Sequence, residues 1–385
     1  MAKRRKVALI YEYNENWIGG TYYIQNLIAA LNVIPDAQKP ELIIITNEEK
    51  HFIDLSNVTR YPYIYYRGFE RKLTLAERAI NKISNRLINS KPFSSYHKDI
   101  EIVFPAAHEQ YFSKVKNHLY WIPDFQEHYL PHFFTKEEID GRKEYQLSII
   151  KKAKYIVFSS KAAKNDFNKI YPQNNVKQFL LPFAVTHSSA KNNQNSDINL
   201  KYKLPDKYFI CSNQFWKHKN HHIVLRAICY LKHKGIEVFV AFTGKEHDYR
   251  NPLYFEELCA LASNLDVNDN IKFLGFIDRV DQLALLKNSL SVIQPSLFEG
   301  WSTVIEDAKA INIPIIASSI DVHKEQLDLY KKKQFFSPDN EKELADCLIN
   351  AEERIDFYKY IEVYDYDAVI NTFANSFIRI IKGLN

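Results

Sequence analysis

Glycine and cysteine are scarce in this chain, which has 9 glycines and 4 cysteines among its 385 residues. The cysteines lie far apart and form no C-x-x-C pair, so we expect buried thiols rather than metal ligands or disulfides. Such thiols favour a reducing compartment. No G-x-G-x-x-G turn follows the first apolar run, which argues against a dinucleotide-dependent oxidoreductase, a class that strand–helix alternation alone would allow.

Long apolar runs are lacking as well. No stretch reaches the ~18 consecutive apolar residues of a membrane-spanning helix, and the first apolar run ends at Glu12 and Asn14, too early for a signal peptide. The formal net charge of +5 is too small to indicate nucleic-acid binding. We therefore expect a cytoplasmic protein without a nucleic-acid partner.

The composition is that of a globular protein, with 46% hydrophobic residues and a length that suits two domains. Short apolar runs alternate with segments of helical periodicity, and a polar stretch at 186–200 interrupts the alternation. The predicted strands are 7–11, 42–46, 102–105, 118–122, 155–159, 208–212, 238–243, 271–274 and 291–294. This order predicts an α/β fold with domains at 1–185 and 201–355, joined by a linker at 186–200.

An acidic glycine turn, Glu299-Gly300, follows the last of these strands and precedes a helical segment from Thr303 to Ile311. A strand, a tight turn and a helix direct backbone N–H groups at an anion, and a glycine lets the backbone approach it closely. The turn therefore predicts a diphosphate site at Gly300, with Glu299 beside it to hold a sugar hydroxyl.

The helix after this turn carries two further acids, Glu306 and Asp307, either of which could hold a ribose hydroxyl. Thr303 and Glu306 also satisfy the T-x-x-E pattern of a capping box, so closing the helix start is an alternative role for Glu306.

Two other turns follow predicted strands. Residues 213–222 place Lys217 and Lys219 among histidines before a helix, where a lysine can neutralise a diphosphate, although a solvated basic loop is the alternative. Gly19 and Gly20 follow the first strand and predict a turn that opens towards a phosphate or sugar.

Residues 295–308, with the segments 314–319 and 321–326 behind them, resemble the donor site of retaining glycosyltransferases of family 4. The resemblance is specific mainly over 208–330. It implies the GT-B fold, two Rossmann-like domains facing each other across a cleft, with residues 356–385 returning to the first domain as a helix. It also implies retaining transfer of a sugar from a nucleotide-diphosphate sugar to a glycan or lipid-linked glycan, as in cell-surface polysaccharide or glycolipid synthesis.

The resemblance gives individual residues a role. Lys219 matches the lysine that grips the donor diphosphate, while Gln214 stands where the family has an arginine. Either Lys217 or His218 compensates for the missing charge, or the leaving group is stabilised less strongly. Glu299 would orient the sugar. The family spacing of seven residues between two glutamates lands on Asp307, with Glu306 one position short. The other matched positions would surround the donor. Gly19 and Gly20 would border the cleft, and Phe276 and Ile277 would lie beside the nucleobase. The backbone amides of Gly300, Trp301, Ser302 and Thr303 would bind the diphosphate.

On the opposite wall of the cleft, the sequence differs from the family pattern at one position. Pro123 stands where many members have a histidine, and Asp124 is kept. Glu127, His128 and His108 are nearby candidates for the missing function. Because of Gln214 and Pro123, a non-catalytic protein that binds nucleotide sugars is the alternative to an enzyme.

One motif points to a metal. Asp365-Tyr366-Asp367 matches the D-x-D that holds a divalent ion in the other large glycosyltransferase fold. It directly precedes a segment of helical periodicity, so we predict Asp367 to be a helix cap and expect no metal and no cofactor besides the donor substrate.

The segment 60–98 is basic and aromatic, and apolar residues recur in it near helical spacing at Leu75, Ile80, Ile83 and Leu87. Its basic residues are Arg60, Arg67, Arg71, Lys72, Arg78, Lys82, Arg86, Lys91 and Lys98. Such a stretch fits either peripheral contact with the inner face of a membrane or the solvated face of an ordinary helix.

Overall fold

The computed structural model describes residues 4–14, 18–70, 73–88, 97–186 and 197–384. Arg71, Lys72 and Lys91 of the basic segment, and residues 187–196 of the predicted linker, lie outside the described residues. Two parallel sheets are present, one on each side of the linker, which confirms the predicted pair of Rossmann-like domains.

The first domain contains a sheet of seven strands in the order β3-β2-β1-β4-β5-β6-β7. The strands are Lys6–Ile10 (β1), Glu41–Ile45 (β2), Ile64–Arg67 (β3), Ile102–Phe104 (β4), Asn117–Ile122 (β5), Tyr155–Phe158 (β6) and Lys177–Leu180 (β7). The helices of this domain are Ile18–Ala30 (α1), Glu49–Thr59 (α2), Leu75–Ile88 (α3), Glu109–Phe112 (α4), Gln126–Tyr129 (α5), Lys136–Lys152 (α6) and Lys161–Ile170 (α7).

The second domain contains a sheet of six strands in the order β10-β9-β8-β11-β12-β13. The strands are Phe209–Ser212 (β8), Val240–Thr243 (β9), Ile271–Phe273 (β10), Val292–Gln294 (β11), Ile315–Ser318 (β12) and Lys333–Phe336 (β13). Its helices are Ile198–Lys201 (α8), His221–His233 (α9), Tyr254–Asn264 (α10), Arg279–Asn288 (α11), Thr303–Ala310 (α12), Asp321–Gln326 (α13), Glu341–Glu353 (α14) and Ile355–Tyr360 (α15).

Both sheets are buried on both faces, which explains why their central strands are continuous apolar runs. In β1, Val7 and Leu9 belong to one apolar cluster and Ala8 and Ile10 to a second cluster on the other face. All four cysteines are free thiols, of which Cys211 and Cys347 are buried and the other two half-buried. Among the described residues, no helix is both long and apolar enough to cross a membrane.

The last helix, Tyr366–Lys382 (α16), packs on the first domain although it follows the second in sequence. Phe373, Phe377 and Ile381 lie in the same apolar cluster as Leu27 of α1. The helix starts at the D-x-D motif, but its cap is Asp365, whose side chain accepts the Ala368 N–H. The predicted cap Asp367 is therefore wrong, since it already lies in the first turn.

The predicted glycine turn after β1 is also wrong. Gly19 and Gly20 do not form a turn before α1 but are its second and third residues. Two glycines at a helix start leave the backbone uncovered by side chains, and a Cβ on Gly19 would meet no atom within 4 Å.

A buried carboxylate joins α16 to the second domain. Glu306 of α12 is fully buried and accepts bonds from Lys309 Nζ at 2.8 Å, Gln326 Nε2 at 2.8 Å and the Tyr366 hydroxyl at 2.6 Å. The Tyr366 oxygen in turn accepts the Val185 N–H at 2.9 Å. Burial and the neighbouring Glu306 raise the pKa of Tyr366 well above its usual value, so the phenol stays protonated and donates.

We expect Tyr366→Phe to lower the free energy of unfolding by about 1–3 kcal/mol, because two buried polar groups lose their partner. Urea unfolding of the two proteins measures the difference. Tyr364→Phe is the matched control, since the structure records no hydroxyl hydrogen bond for Tyr364 within the part of the chain it describes. Equal midpoints for the two variants would contradict the role assigned to Tyr366.

Candidate active site

A cavity of about 700 Å³ lies between the two domains, at the carboxyl ends of strands from both sheets. This edge of parallel sheets is where α/β proteins bind ligands. Of the residues predicted for the donor site, the following line the cavity: Gly19, Gly20, Asp124, Gln214, Lys219, Phe276, Ile277, Glu299, Gly300, Trp301, Ser302, Thr303 and Asp307. Glu306 does not line it.

The central polar contact of the cavity is an ion pair between Lys219 and Glu299. Lys219 ends a 3-10 turn after β8, and its Nζ lies 2.6 Å from Glu299 Oε1. Gln294 Nε2 at 2.8 Å and the Ser296 hydroxyl at 2.7 Å donate to the same oxygen. Burial is the largest effect and favours the neutral acid, but the charge of Lys219, the nearby His323 and the hydrogen bonds from Lys219 and Ser296 together hold the pKa of Glu299 below its usual value. Because none of these three bonds involves the second carboxylate oxygen, that oxygen can accept from a ligand.

The two acids of α12 point in different directions, as expected for neighbours on a helix. Glu306 belongs to the buried network described above, and Asp307 belongs to the lining of the cavity although it is also fully buried. The predicted capping box is wrong, because Ser302 rather than Thr303 caps the helix and its hydroxyl accepts the Ile305 N–H at 3.3 Å. Glu306 therefore has a structural role, but as a link to α16 and not as a cap.

Asp307 already has a strong partner. The guanidinium of Arg279, the first residue of α11, makes two parallel bonds to its carboxylate, at 2.7 and 2.5 Å. Arg279 also lies 5.5 Å from the ring centroid of Tyr22, on the other wall of the cleft. Sequence analysis missed Arg279, although the first helical residue after a strand that ends at the cleft is a natural place to find it.

Neither of the two residues expected to replace the positive charge that Gln214 lacks brings a cation to the cavity. Lys217 is exposed and does not line the cavity. Burial, with Lys219 and Arg250 nearby, lowers the pKa of His218 well below its usual value, so this imidazole is neutral. The expected compensation by either residue is therefore wrong. Arg250, in the loop after β9, lines the cavity instead, held beside Asp248 and over the rings of Trp216 and Phe134.

The start of α12 faces the cavity, but not all of its amides are available. The Ser302 N–H donates to Gln326 Oε1 at 3.1 Å, and Gln326 Nε2 returns a bond to the Ser302 carbonyl at 2.7 Å. Thr303 and Val304, the first two helical residues, line the cavity. Their N–H groups belong to the first turn, which has no acceptors within the helix.

The walls of the two domains meet at Gly300. A Cβ there would lie 2.7 Å from the Pro123 carbonyl oxygen and 3.2 Å from Asp124 Oδ2. The glycine is thus required by the approach of the domains. Burial in the cleft raises the pKa of the Asp124 carboxyl, and the charge of Glu299 adds to the effect.

The substitutes considered for the missing histidine do not reach the cleft. Glu127 is buried against Gln146, at 2.6 Å, and His108 pairs with Glu12 at the same distance. His128 is exposed. None of the three lines the cavity, so the structure does not bring them to the donor site.

Two aromatic groups complete the site. Trp301 donates its indole N–H to the Phe183 carbonyl of the first domain at 3.1 Å, so this predicted donor residue also joins the domains. Phe276, with 73% of its surface exposed, and Ile277 form part of the rim in the loop after β10.

No group of three or more His, Cys, Asp or Glu side chains that could hold a metal ion occurs in the part of the chain that the structure describes. The D-x-D motif lies at the start of α16 and outside the cavity lining. The chemistry that the described residues offer is electrostatic: cations and helix amides for an anion, and carboxylates for hydroxyls.

The sequence and the structure were compared with those of known proteins. Residues 193–364, somewhat under half of the chain, match the family of glycosyl transferases group 1. The whole chain superimposes on the Anabaena protein Alr3699/HepE, crystallised with UDP and glucose, with a TM-score of 0.69 and 13% identity, covering 99% of this chain and 100% of that one. Together these findings support a group 1 glycosyltransferase. The superposition also confirms the predicted GT-B fold.

Two curated relatives are more similar to this chain in sequence than HepE is. The O-antigen chain mannosyltransferase RfbU of Salmonella typhimurium is 24% identical over 261 residues, which cover 66% of this chain and 67% of the relative. Protein CapJ of Staphylococcus aureus is 28% identical over 196 residues, and the match spans 50% of this chain but only 45% of CapJ.

We expect Gly300→Ala to destabilise the protein by about 1–3 kcal/mol, because the added methyl forces apart two walls that are already in contact. Thermal unfolding measures the loss. Gly141→Ala is the control: this glycine lies in α6 with no atom within 4 Å of its Cβ position, and the change should stabilise the helix by about 0.5–1 kcal/mol. A Gly300→Ala protein as stable as the wild type would show that the contact with Pro123 is not tight.

Proposed function

We propose that this chain is a retaining glycosyltransferase that moves a hexose from a nucleotide-diphosphate sugar to an acceptor hydroxyl. The observation that carries the proposal is the Lys219–Glu299 pair, at 2.6 Å, inside an interdomain cavity of about 700 Å³. That volume is within the range of pockets that enclose a ligand of this size, roughly 300–1,000 Å³. The pair sets a cation for the diphosphate beside a carboxylate for the sugar.

The first demand of the reaction is stabilisation of the departing diphosphate. Lys219 and Arg250 are the cations for this role, and the first-turn amides at Thr303 and Val304 add the positive end of α12. An ammonium group has three N–H donors, so Lys219 can bond Glu299 and a phosphate oxygen together.

The second demand is orientation of the sugar. Glu299 presents its second oxygen to a sugar hydroxyl, while its first oxygen is held by Lys219, Gln294 and Ser296. Asp124 forms the opposite wall, next to Gly300. The ribose is assigned to Asp307, with Arg279 as the positioning residue that fixes its carboxylate.

Retention follows from the resemblance to family 4. The acceptor oxygen attacks the anomeric carbon on the face that the diphosphate leaves; the bond from that carbon to the diphosphate oxygen breaks as the bond to the acceptor forms. The acceptor proton passes to a leaving-group oxygen, so no protein base and no metal is needed. NMR of the product made from an α-linked donor distinguishes retention from inversion.

The relatives suggest the substrates. RfbU is named as an O-antigen chain mannosyltransferase, and HepE was crystallised with UDP-glucose. We propose a hexose donor and a glycan or lipid-linked glycan acceptor in cell-surface polysaccharide synthesis, at the cytoplasmic side where nucleotide sugars are available. Thermal-shift screening against UDP- and GDP-hexoses identifies the donor, since a ligand of the native state raises the unfolding temperature.

A non-catalytic protein that binds nucleotide sugars is the competing proposal, favoured by Pro123 and Gln214. Arg250 weakens it, because a second cation lines the same cavity as Lys219. A protein that binds the donor but neither transfers nor hydrolyses it, across the acceptor classes named above, would decide for this alternative.

We expect Asp307→Asn to weaken binding of the free nucleotide about tenfold or more, because an amide forms weaker bonds to the ribose diol than a carboxylate does. Calorimetric titration with UDP and GDP measures the change. Asp281→Asn is the matched control, because Asp281 pairs with Lys201 and Tyr202 and does not line the cavity. Glu306→Gln is unsuitable here, since it would disturb the buried link to α16. Unchanged affinity in Asp307→Asn would place the ribose contact elsewhere.

We expect Lys219→Ala to lower kcat by about 10²–10³, the effect of removing one preorganised electrostatic donor. The assay is run in EDTA, in which the wild type should remain active. Because the change also leaves Glu299 without its cation, turnover is expressed per folded protein, from thermal unfolding.

Lys217→Ala removes the same charge from the same turn but outside the cavity, and should leave turnover unchanged. Wild-type turnover in Lys219→Ala would show that this lysine does not stabilise the diphosphate. Activity that is abolished by EDTA and restored by manganese would end the metal-independent mechanism.

A further inference from the structure

Helix α3 turns its apolar side away from the protein. At 100° per residue, six of its apolar residues fall within an arc of about 140°. We call this arc the outer face: Leu75, Ala76, Ala79, Ile80, Ile83 and Leu87. The outer face is open to solvent, with Leu75 82%, Ile83 58% and Leu87 76% exposed.

The polar side of the same helix faces the body of the protein. Asn81, on the side opposite the outer face, is the one buried residue of α3, and Glu77 and Ser84 beside it are half-buried. A surface helix of a globular protein normally does the reverse and buries its apolar stripe. The orientation of α3 therefore leaves a contiguous apolar strip uncovered by any described residue, and such a strip marks an interaction site.

Local signals account for the helix without help from burial. Thr74 and Glu77 form a capping box, in which the Thr74 hydroxyl accepts the Glu77 N–H at 3.2 Å and Glu77 Oε2 accepts the Thr74 N–H at 2.9 Å. With 14 residues, α3 is near the limit of what is stable in water, since isolated helices below about 12–15 residues are marginal. Covering the outer face would add the stabilisation that packing usually supplies.

The charges beside the outer face are positive. Arg78, Lys82 and Arg86 recur every four residues and are all exposed. Arg78 and Lys82 lie beside one edge of the outer face, and Arg86 lies just inside the same edge. The single acid of the helix, Glu77, is turned towards the protein. An apolar strip bordered by cations matches a surface with an apolar interior and anionic groups at its boundary.

We propose that the outer face of α3 docks on an anionic phospholipid surface, with its apolar side chains below the headgroups and Arg78, Lys82 and Arg86 at the level of the phosphates. None of the described residues of 60–98 lines the cleft. The docking surface is thus separate from the donor site, and the inference does not depend on the proposed transfer reaction.

The experiment is flotation of the full chain with vesicles of phosphatidylcholine alone or mixed with phosphatidylglycerol. The wild type should float with the mixed vesicles and much less with phosphatidylcholine. Ile83→Glu places a charge in the outer face, and Asn85→Glu places the same charge on an exposed position of α3 outside that face.

In both variants, the added negative charge should lower the affinity for the mixed vesicles about fivefold. Ile83→Glu should lower it at least about tenfold further, because the apolar side chain at this position no longer inserts. Circular dichroism and unfolding temperature confirm that both variants fold. Hydrogen exchange of the wild type should show protection by mixed vesicles in α3.

Three results would overturn the proposal. Equal flotation with both kinds of vesicle would remove the role of the cations, and equal losses in the two variants would remove the role of the outer face. A wild type that binds no vesicle but forms a dimer, which Ile83→Glu dissolves, would show that a second copy of the chain covers the face instead.

Discussion

The buried carboxylate of Glu306 is the constraint on which the geometry of the cleft depends. It sits in the helix that lines the donor cavity and accepts hydrogen bonds from Lys309, Gln326 and Tyr366. Tyr366 begins the helix that returns to the first domain and also binds the Val185 N–H. One carboxylate thereby connects α12, α13, α16 and the end of the first domain. A buried acid is costly unless it is paired and fully hydrogen-bonded, and here both conditions are met.

The rest of the domain interface is consistent with this anchor. Glu325 of α13 accepts the Lys161 and Ala162 N–H groups at 2.8 and 3.1 Å, so a carboxylate of the second domain binds the start of a helix in the first. A negative charge at a helix N-terminus is stabilising. With the Trp301–Phe183 bond and the contact at Gly300, these interactions surround the cleft on several sides. The two walls of the donor site are thus positioned by polar contacts whose partners are far apart in sequence.

That distance in sequence explains what could and could not be predicted. Most central strands, such as β2, are continuous apolar runs and are predicted, although the equally buried central strand β12 is not. The edge strands β3, β7 and β13 mix basic, polar and aromatic residues and are not predicted. The Glu299-Gly300 turn and Lys219 were recognisable because each lies in a local strand–turn–helix pattern. Arg250 carries no such pattern and reaches the cavity only through the fold, whereas Arg279 begins α11 after β10 and has the pattern but is not predicted. For Glu306, the sequence offered a capping role, since its partner Tyr366 lies 60 residues further along the chain.

Three cations of the cleft each have a carboxylate partner within the second domain, while a fourth, Arg142, pairs with Glu127 of the first domain. Lys219 pairs with Glu299, Arg279 with Asp307 and Arg250 with Asp248. These pairs fix the long side chains before any reaction, and fixed charges cost no reorganisation when a transition state develops charge. They do not use up the donors, because an ammonium has three N–H groups and a guanidinium five. Two of these carboxylates, Glu299 and Asp307, also line the cavity. Under the proposed function, the same pairs set the positions for an anion and for its sugar together, so the cleft keeps an ordered set of charges although Gln214 is not an arginine.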